Sequence, residues 1–423
     1  MPATAHTNPD RGRPEPWVCP FCPLLCDDLS PGPDSAAMPF DAQACARATQ
    51  GWAAATGPAS ATPRLHGRDI DRSDALAHTA ERLRAAALPL IGGLYGDLAD
   101  SRAALRLAQA SGGVLDHAAS DGLLNLVSVL QTDGLMTVSL GEARNRADLW
   151  IFLGTDAFAA LPRLADLVLT ATPRQHDAAA PRVLLVAPPG ATPPPGVTAE
   201  AVGVADAELP DLLGWTRLLA SGRPCPGTAP AAATQLHRAL EAARFPVFVT
   251  GPQRAAPAHA DLLLQALAAL IRERNDRGRA ALLPLGAGPG VMTAHQACAW
   301  HSGFSLRTAL VQGIPEHDAH RYASATLVGA GEADLLVWIN PLQPTPPPAV
   351  DLPVLAFGHP ATEFAHPPEL FFPLAVPGVH RAGQLHRVDG MALLPLRARV
   401  DSGLPSTTEV FTELLSRLES PAC

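Results

Sequence analysis

Short, wholly apolar runs closed by glycine or proline recur along this chain and set its architecture. Pro89-Leu-Ile-Gly-Gly-Leu94, Ala147-Asp-Leu-Trp-Ile-Phe-Leu-Gly154 and Arg182-Val-Leu-Leu-Val-Ala-Pro188 carry almost no polar alternation. Runs of this kind read as strands buried on both faces, the signature of a parallel sheet covered by helices. Helical spacing of apolar residues over Asp74 to Ala87 and Leu98 to Ala110 supplies the covering layer. The second half replays the scheme. Pro246-Val-Phe-Val-Thr-Gly251 resembles Pro89 to Leu94, and a helix from Ala258 to Arg274 follows it. Ala333-Asp-Leu-Leu-Val-Trp-Ile-Asn340 echoes Ala147 to Gly154, and Pro353-Val-Leu-Ala-Phe-Gly358 parallels Val183 to Pro188. The expectation is α/β, with two related units; two unrelated α/β layers are the alternative.

A length of 423 residues suits two or three domains at roughly 150 residues each. Residues 1–16 read as a short mobile arm, and 17–56 as a cysteine-rich module. The first α/β domain is expected over 63–220 and the second over 234–423, with the Pro-, Gly- and Ala-rich stretch Ser221 to Ala233 between them. Hydrophobic residues make up 47% and charged ones 17%, so a buried core is expected rather than disorder. The formal charge is −9 and lysine is absent, which argues against nucleic acid as a partner, since backbone binding needs clustered cations. Met1 to Pro16 lacks the apolar core of a secretion signal. No stretch approaches the ~20 apolar residues of a membrane helix. The expectation is a cytoplasmic protein with no membrane partner.

The sharpest local signal is Cys19-Pro-Phe-Cys22-Pro-Leu-Leu-Cys26-Asp-Asp, followed by Cys45. Two cysteines separated by two residues can wrap one metal centre, and a third and fourth complete four thiolates. Cys19, Cys22, Cys26 and Cys45 are therefore the candidate cofactor and metal ligands, with a [4Fe-4S] cluster as the first reading. A four-thiolate zinc site and four reduced thiols stay open beside it. Asp27 and Asp28 read as a cap or a solvated turn.

This cysteine block resembles the opening of the B-type chain of formylmethanofuran dehydrogenase. The resemblance extends to Phe371-Phe-Pro-Leu-Ala-Val-Pro-Gly378, to Gly383-Gln-Leu-His-Arg387-Val-Asp389, to Ala299-Trp300-His-Ser-Gly303-Phe304 and to Asp116-His117. It implies a molybdopterin oxidoreductase fold of the formate dehydrogenase type. There an N-terminal cluster module precedes two Rossmann-like parallel-sheet units, each holding a pterin guanine dinucleotide at its strand ends.

Such a site needs a cysteine or selenocysteine on the metal shortly after the Asp116 position. This chain reads Ala118-Ala-Ser120-Asp-Gly-Leu-Leu-Asn125 there, and has no cysteine between Cys45 and Cys225. Ser120 is the nearest substitute, and a hydroxyl replaces a soft thiolate poorly. The better match is the bacterial formyltransferase/hydrolase branch, whose B-type chain has lost its redox role. That resemblance implies a scaffold in formaldehyde-to-formate metabolism linked to tetrahydromethanopterin, with no catalytic residue and without molybdopterin guanine dinucleotide. The implied partners are a zinc amidohydrolase-like A-type subunit, a formyltransferase D-type subunit and a C-type subunit. The rival is a redox-active molybdenum- or tungsten-dependent dehydrogenase subunit. A free-standing metal-binding module on an unrelated α/β protein is the third reading.

Other chemistry-bearing residues carry weaker signals. His295 and His301 flank Cys298 and Trp300 at spacings that match no standard ligand motif, so ordinary packing is expected. His380 to Arg387 reads as turn and strand, with a surface for an anionic carrier or for a partner as the alternative. Gly286-Ala-Gly-Pro-Gly290 lacks the dinucleotide fingerprint, and Pro289 removes a backbone donor, so a tight loop is expected.

Overall fold

The computed structural model describes residues 17–29, 44–170, 180–224, 226–257, 259–286 and 288–419. The arm at 1–16, Cys225 and Cys423 lie outside them. Sixteen strands occur among the described residues. They are β1 (Arg64–Leu65), β2 (Arg68–Asp69), β3 (Pro89–Gly93), β4 (Val114–Leu115), β5 (Leu149–Leu153), β6 (Arg182–Ala187), β7 (Glu200–Gly203) and β8 (Pro246–Thr250). Then come β9 (Ala281–Pro284), β10 (Thr308–Ala309), β11 (Glu316–His317), β12 (Leu335–Asn340), β13 (Val354–Gly358), β14 (Leu370–Pro373), β15 (Gly383–His386) and β16 (Leu393–Leu396).

Two sheets and one hairpin result. The larger sheet runs β11-β10-β4-β3-β12-β13-β14-β1-β2, the smaller β7-β6-β5-β8-β9, and β15 pairs with β16. The stretch β4-β3-β12-β13-β14 is parallel throughout, and so is the whole smaller sheet. Apolar runs bury every residue of β3, β5, β8 and β12, as strands covered on both faces must. The predicted helices appear as Arg72–Ala85, Leu98–Ser111 and Ala260–Asn275, each within two residues of its expected ends.

The sheets do not follow the halves expected at 63–220 and 234–423. β5, β6 and β7 precede the Ser221–Ala233 stretch, β8 and β9 follow it, and Leu149 of β5 sits opposite Pro246 of β8. Likewise β3 and β4 share a sheet with β12, β13 and β14. The smaller sheet is thus inserted, between residues 149 and 284, into the larger one. An apolar run announces that both faces are buried, but not which strand lies beside it. The strands equated by sequence do occupy matching places: β4-β3-β12-β13-β14 and β9-β8-β5-β6-β7 have the same order, with β3 beside β12 as β8 is beside β5.

Cores form on both faces of each sheet. Trp150, Phe152 and Phe248 fill the smaller sheet's layers, and Phe357, Phe372 and Phe411 those of the larger. Among the described residues no helix is long and apolar enough to cross a membrane.

Candidate functional site: the cysteine module and the strand-end crevice

The cysteine segment folds back on itself. Trp17 bridges Leu29, the Cys19 N–H donates to the Cys26 carbonyl at 3.0 Å, and Leu25 turns the loop with φ of 48°. Cys45 then stands at the N-terminus of the Ala46–Thr56 helix. Cys19, Cys22 and Cys26 are buried, and the Cys19 thiol lies within electrostatic reach of Cys22, Cys26 and Cys45. Burial pushes the Cys19 and Cys22 thiols up, and Cys26 to about 12, so as free groups they stay protonated at neutral pH. The donor type suits a cluster. Among the described residues, no group of three or more His, Cys, Asp or Glu stands in a ready-made arrangement for a metal ion, while Cys22, Cys26 and Cys45 all lie within electrostatic reach of Cys19.

Anchors from distant sequence hold this module. Trp17 packs edge-on to Trp52 and donates from Nε1 to the Gly378 carbonyl at 2.9 Å. Val388 N–H donates to the Pro23 carbonyl at 2.7 Å, and His380 Nε2 to that of Ala55 at 2.9 Å. The cysteine block and the Phe371 to Asp389 segment, which sequence alone tied to one family, therefore meet in space. Arg163, 7% exposed, clamps Asp28 with bonds of 2.6 and 2.7 Å and touches Cys26. That pairing holds the Asp28 carboxyl below the usual carboxylate range. Asp28 is neither a helix cap nor a freely solvated turn residue.

Asp116 and His117 follow β4 directly, at the C-terminal end of the larger sheet. Asp116 accepts from Ser120 Oγ at 2.6 Å and from the backbone N–H and Oγ of Ser324 at 2.9 and 2.8 Å. Burial pushes its carboxyl up, against the pull of Arg307, whose Nε lies 3.5 Å away. Arg307 also donates to the Ala319 carbonyl, Ser120 and Asp121. Ser120 is thus occupied as a hydrogen-bonding link. Burial drives His117 down to about 3, and its Nδ1 accepts from Ala119 N–H, so it is a neutral structural imidazole at ordinary pH.

A cavity of about 600 Å³ lies against this cluster, bounded by Gly92, Tyr95 and Trp338. A smaller one, about 220 Å³, lies across the Ala118–Asp121 loop, between the ends of the two sheets. Cys298 borders neither. It is fully buried in the Val291–Ser302 helix, with its Sγ donating to the Ser305 carbonyl at 3.2 Å. His295 bonds Ser305 and His301 bonds Gln109, as packed side chains do. Gly288 and Gly290 pack closely against loops of the larger sheet: a Cβ on Gly288 would press on Ala119, and one on Gly290 on the Gly96 carbonyl.

Sequence reasoning missed one further cluster. Asp97 and Asp100 form a reciprocal capping box at the start of the Leu98–Ser111 helix, and Arg381 binds both carboxylates, at 2.6 Å from Asp100. In the same segment Arg387 pairs with Asp389. The two guanidiniums of His380 to Arg387 are engaged internally, which removes the anionic-carrier reading of that segment. The Asp-x-x-Asp pattern before a helix was the available signal.

No family model matches the chain. It is 29% identical over 359 residues to the B-type chain of the formyltransferase/hydrolase complex Fhc of Methylorubrum extorquens, covering 84% of this chain and 96% of that protein. Over 438 residues it is 24% identical to the B-type chain of tungsten-containing formylmethanofuran dehydrogenase 2 of Methanocaldococcus jannaschii, covering 95% and 98%. A chain in the crystal structure of the formyltransferase/hydrolase complex from Methylorubrum extorquens with methylofuran matches with a TM-score of 0.74 at 26% identity. That match covers 84% of this chain and 98% of the other. The fold is accordingly an α/β fold related to the molybdopterin-oxidoreductase-like proteins. The chain thus shows homology and a structural match to the B-type chains of formyltransferase/hydrolase complexes, and a more distant similarity to those of formylmethanofuran dehydrogenases.

Proposed function

We propose that this chain is the B-type component of a formyltransferase/hydrolase complex in tetrahydromethanopterin-linked one-carbon metabolism, a framework without redox turnover of its own. The loop after β4 carries this reading. It offers Ala118, Ala119 and Ser120 where a thiolate ligand is needed, and the Ser120 hydroxyl is already bonded to Asp116 and Arg307. Asp97 and Asp100 support it too. They place carboxylates at the helix N-terminus following β3, where a dinucleotide's phosphates would seek free N–H groups. In the same reading the two parallel layers are a doubled Rossmann-like unit, and the chain sits in the cytoplasm. The partners are the amidohydrolase-like, formyltransferase and C-type subunits. Co-expression tests it: the tagged chain should retain all three through size exclusion, and a soluble chain that recovers none of them would contradict it.

The buried, adjacent thiols favour one second feature, a cluster on Cys19, Cys22, Cys26 and Cys45. Chain purified anaerobically should then hold about four iron atoms, lost in Cys22→Ser without loss of assembly. Four titratable thiols and no iron would make the module a packed structural element instead.

A further inference from the structure

We propose that the 600 Å³ cavity at the β3–β12 junction binds a small flat aromatic ligand bearing an amine, and rejects nucleotides and other anions. The position is one that ligands favour. From β3 the chain passes to β4 on one side, while β12 leads to β13 and β14 on the other, and open parallel sheets bind ligands at such switch points. The volume falls in the range of small-molecule sites. At the corresponding point of the smaller sheet, between β8 and β5, a carboxylate lies against the strand ends. There Asp156 accepts from Gln253 N–H at 2.8 Å, and a Cβ on Gly251 would collide with its carboxylate.

The lining chooses the ligand. Tyr95 and Trp338, with ring centroids 6.2 Å apart, supply aromatic wall, and Gly92 keeps the strand surface flat beside them. A flat ring fits such a surface by dispersion and stacking. At the polar end stand Asp116 and Asp121, two carboxylates to the single guanidinium of Arg307. Arg307 already donates to Ala319, Ser120 and Asp121, and its Nε faces Asp116 at 3.5 Å, so its charge is offset by two carboxylates before any anion arrives. An ammonium group finds an acidic rim there, and aromatic walls tolerate it. A phosphate finds the nearby helix N-terminus capped by Asp97 and Asp100. This site is independent of the scaffold reading, because it needs neither partners nor metal.

Calorimetric titration of the full chain with benzylamine, benzoate and adenosine monophosphate tests it. Benzylamine should bind saturably with a Kd on the order of a millimolar or tighter, and the two anions more weakly. Ala325 is exposed at the mouth, so Ala325→Trp should block entry and weaken benzylamine by about tenfold or more with unchanged melting. Asp121→Asn should weaken benzylamine and leave benzyl alcohol unaffected. Absence of saturable benzylamine binding, indifference to both variants, or tighter binding of either anion would overturn the proposal.

Discussion

Replacing Arg381 with methionine should destabilise the fold by about 3–5 kcal/mol, the range seen when one partner of a buried ion pair is removed. The Asp97 and Asp100 side chains are 0% and 1% exposed, and both oxygens of Asp97 meet the Arg381 guanidinium. Without it two carboxylates stay buried side by side. The cluster also joins the start of the Leu98–Ser111 helix to the segment leading into β15, so the damage should reach the hairpin. The pH dependence has a defined sign. Burial holds the Asp100 carboxyl above the ordinary carboxylate range, so the folded state binds its proton more tightly than the unfolded chain. Stability from this group is complete below the unfolded value of about 3.9 and is lost as pH climbs through the higher folded value. The penalty of Arg381→Met should therefore be larger at pH 8 than at pH 5 in urea unfolding. Adding Asp97→Asn and Asp100→Asn should recover most of it. A penalty below about 1 kcal/mol, typical of surface pairs, would show that the cluster is not buried as described.

Trp17→Ala should cost a comparable ~3–5 kcal/mol, as truncation of large core aromatics does, with its effect concentrated on the cysteine module. Trp17 is 1% exposed and joins Phe21, Trp52 and the Gly378 carbonyl. Removing it should open Cys19, Cys22 and Cys26 to a thiol reagent under native conditions. Cys298, in a separate core, should stay protected. Trp17→Phe keeps much of the packing and loses one hydrogen bond, a change of roughly 1 kcal/mol. Thiols as unreactive in Trp17→Ala as in the parent would mean that the module is held by other contacts.

Much of the fold was legible because apolar runs report burial directly. Pro89–Gly93, Leu149–Leu153 and Leu335–Asn340 form strands where their composition says they should. Pairing was not legible, since Leu149 opposite Pro246 depends on contacts between segments far apart in the chain that no local run encodes. The cysteine block was visible by spacing and the bare Ala118 loop by its missing thiol. The clamps were not: Arg163 with Asp28, and Arg381 with Asp97 and Asp100, join charged residues that in sequence look like ordinary surface. A charge finds its buried partner only after the backbone has brought distant segments together.

Whether a pterin-held metal turns over beside the Asp116 loop decides between framework and redox enzyme. Molybdenum, tungsten and pterin should be quantified on one anaerobically purified sample of the intact assembly, together with viologen-linked oxidation. A framework chain should yield neither metal, no pterin and no viologen reduction. One equivalent of either metal with pterin, accompanied by viologen reduction, would contradict it.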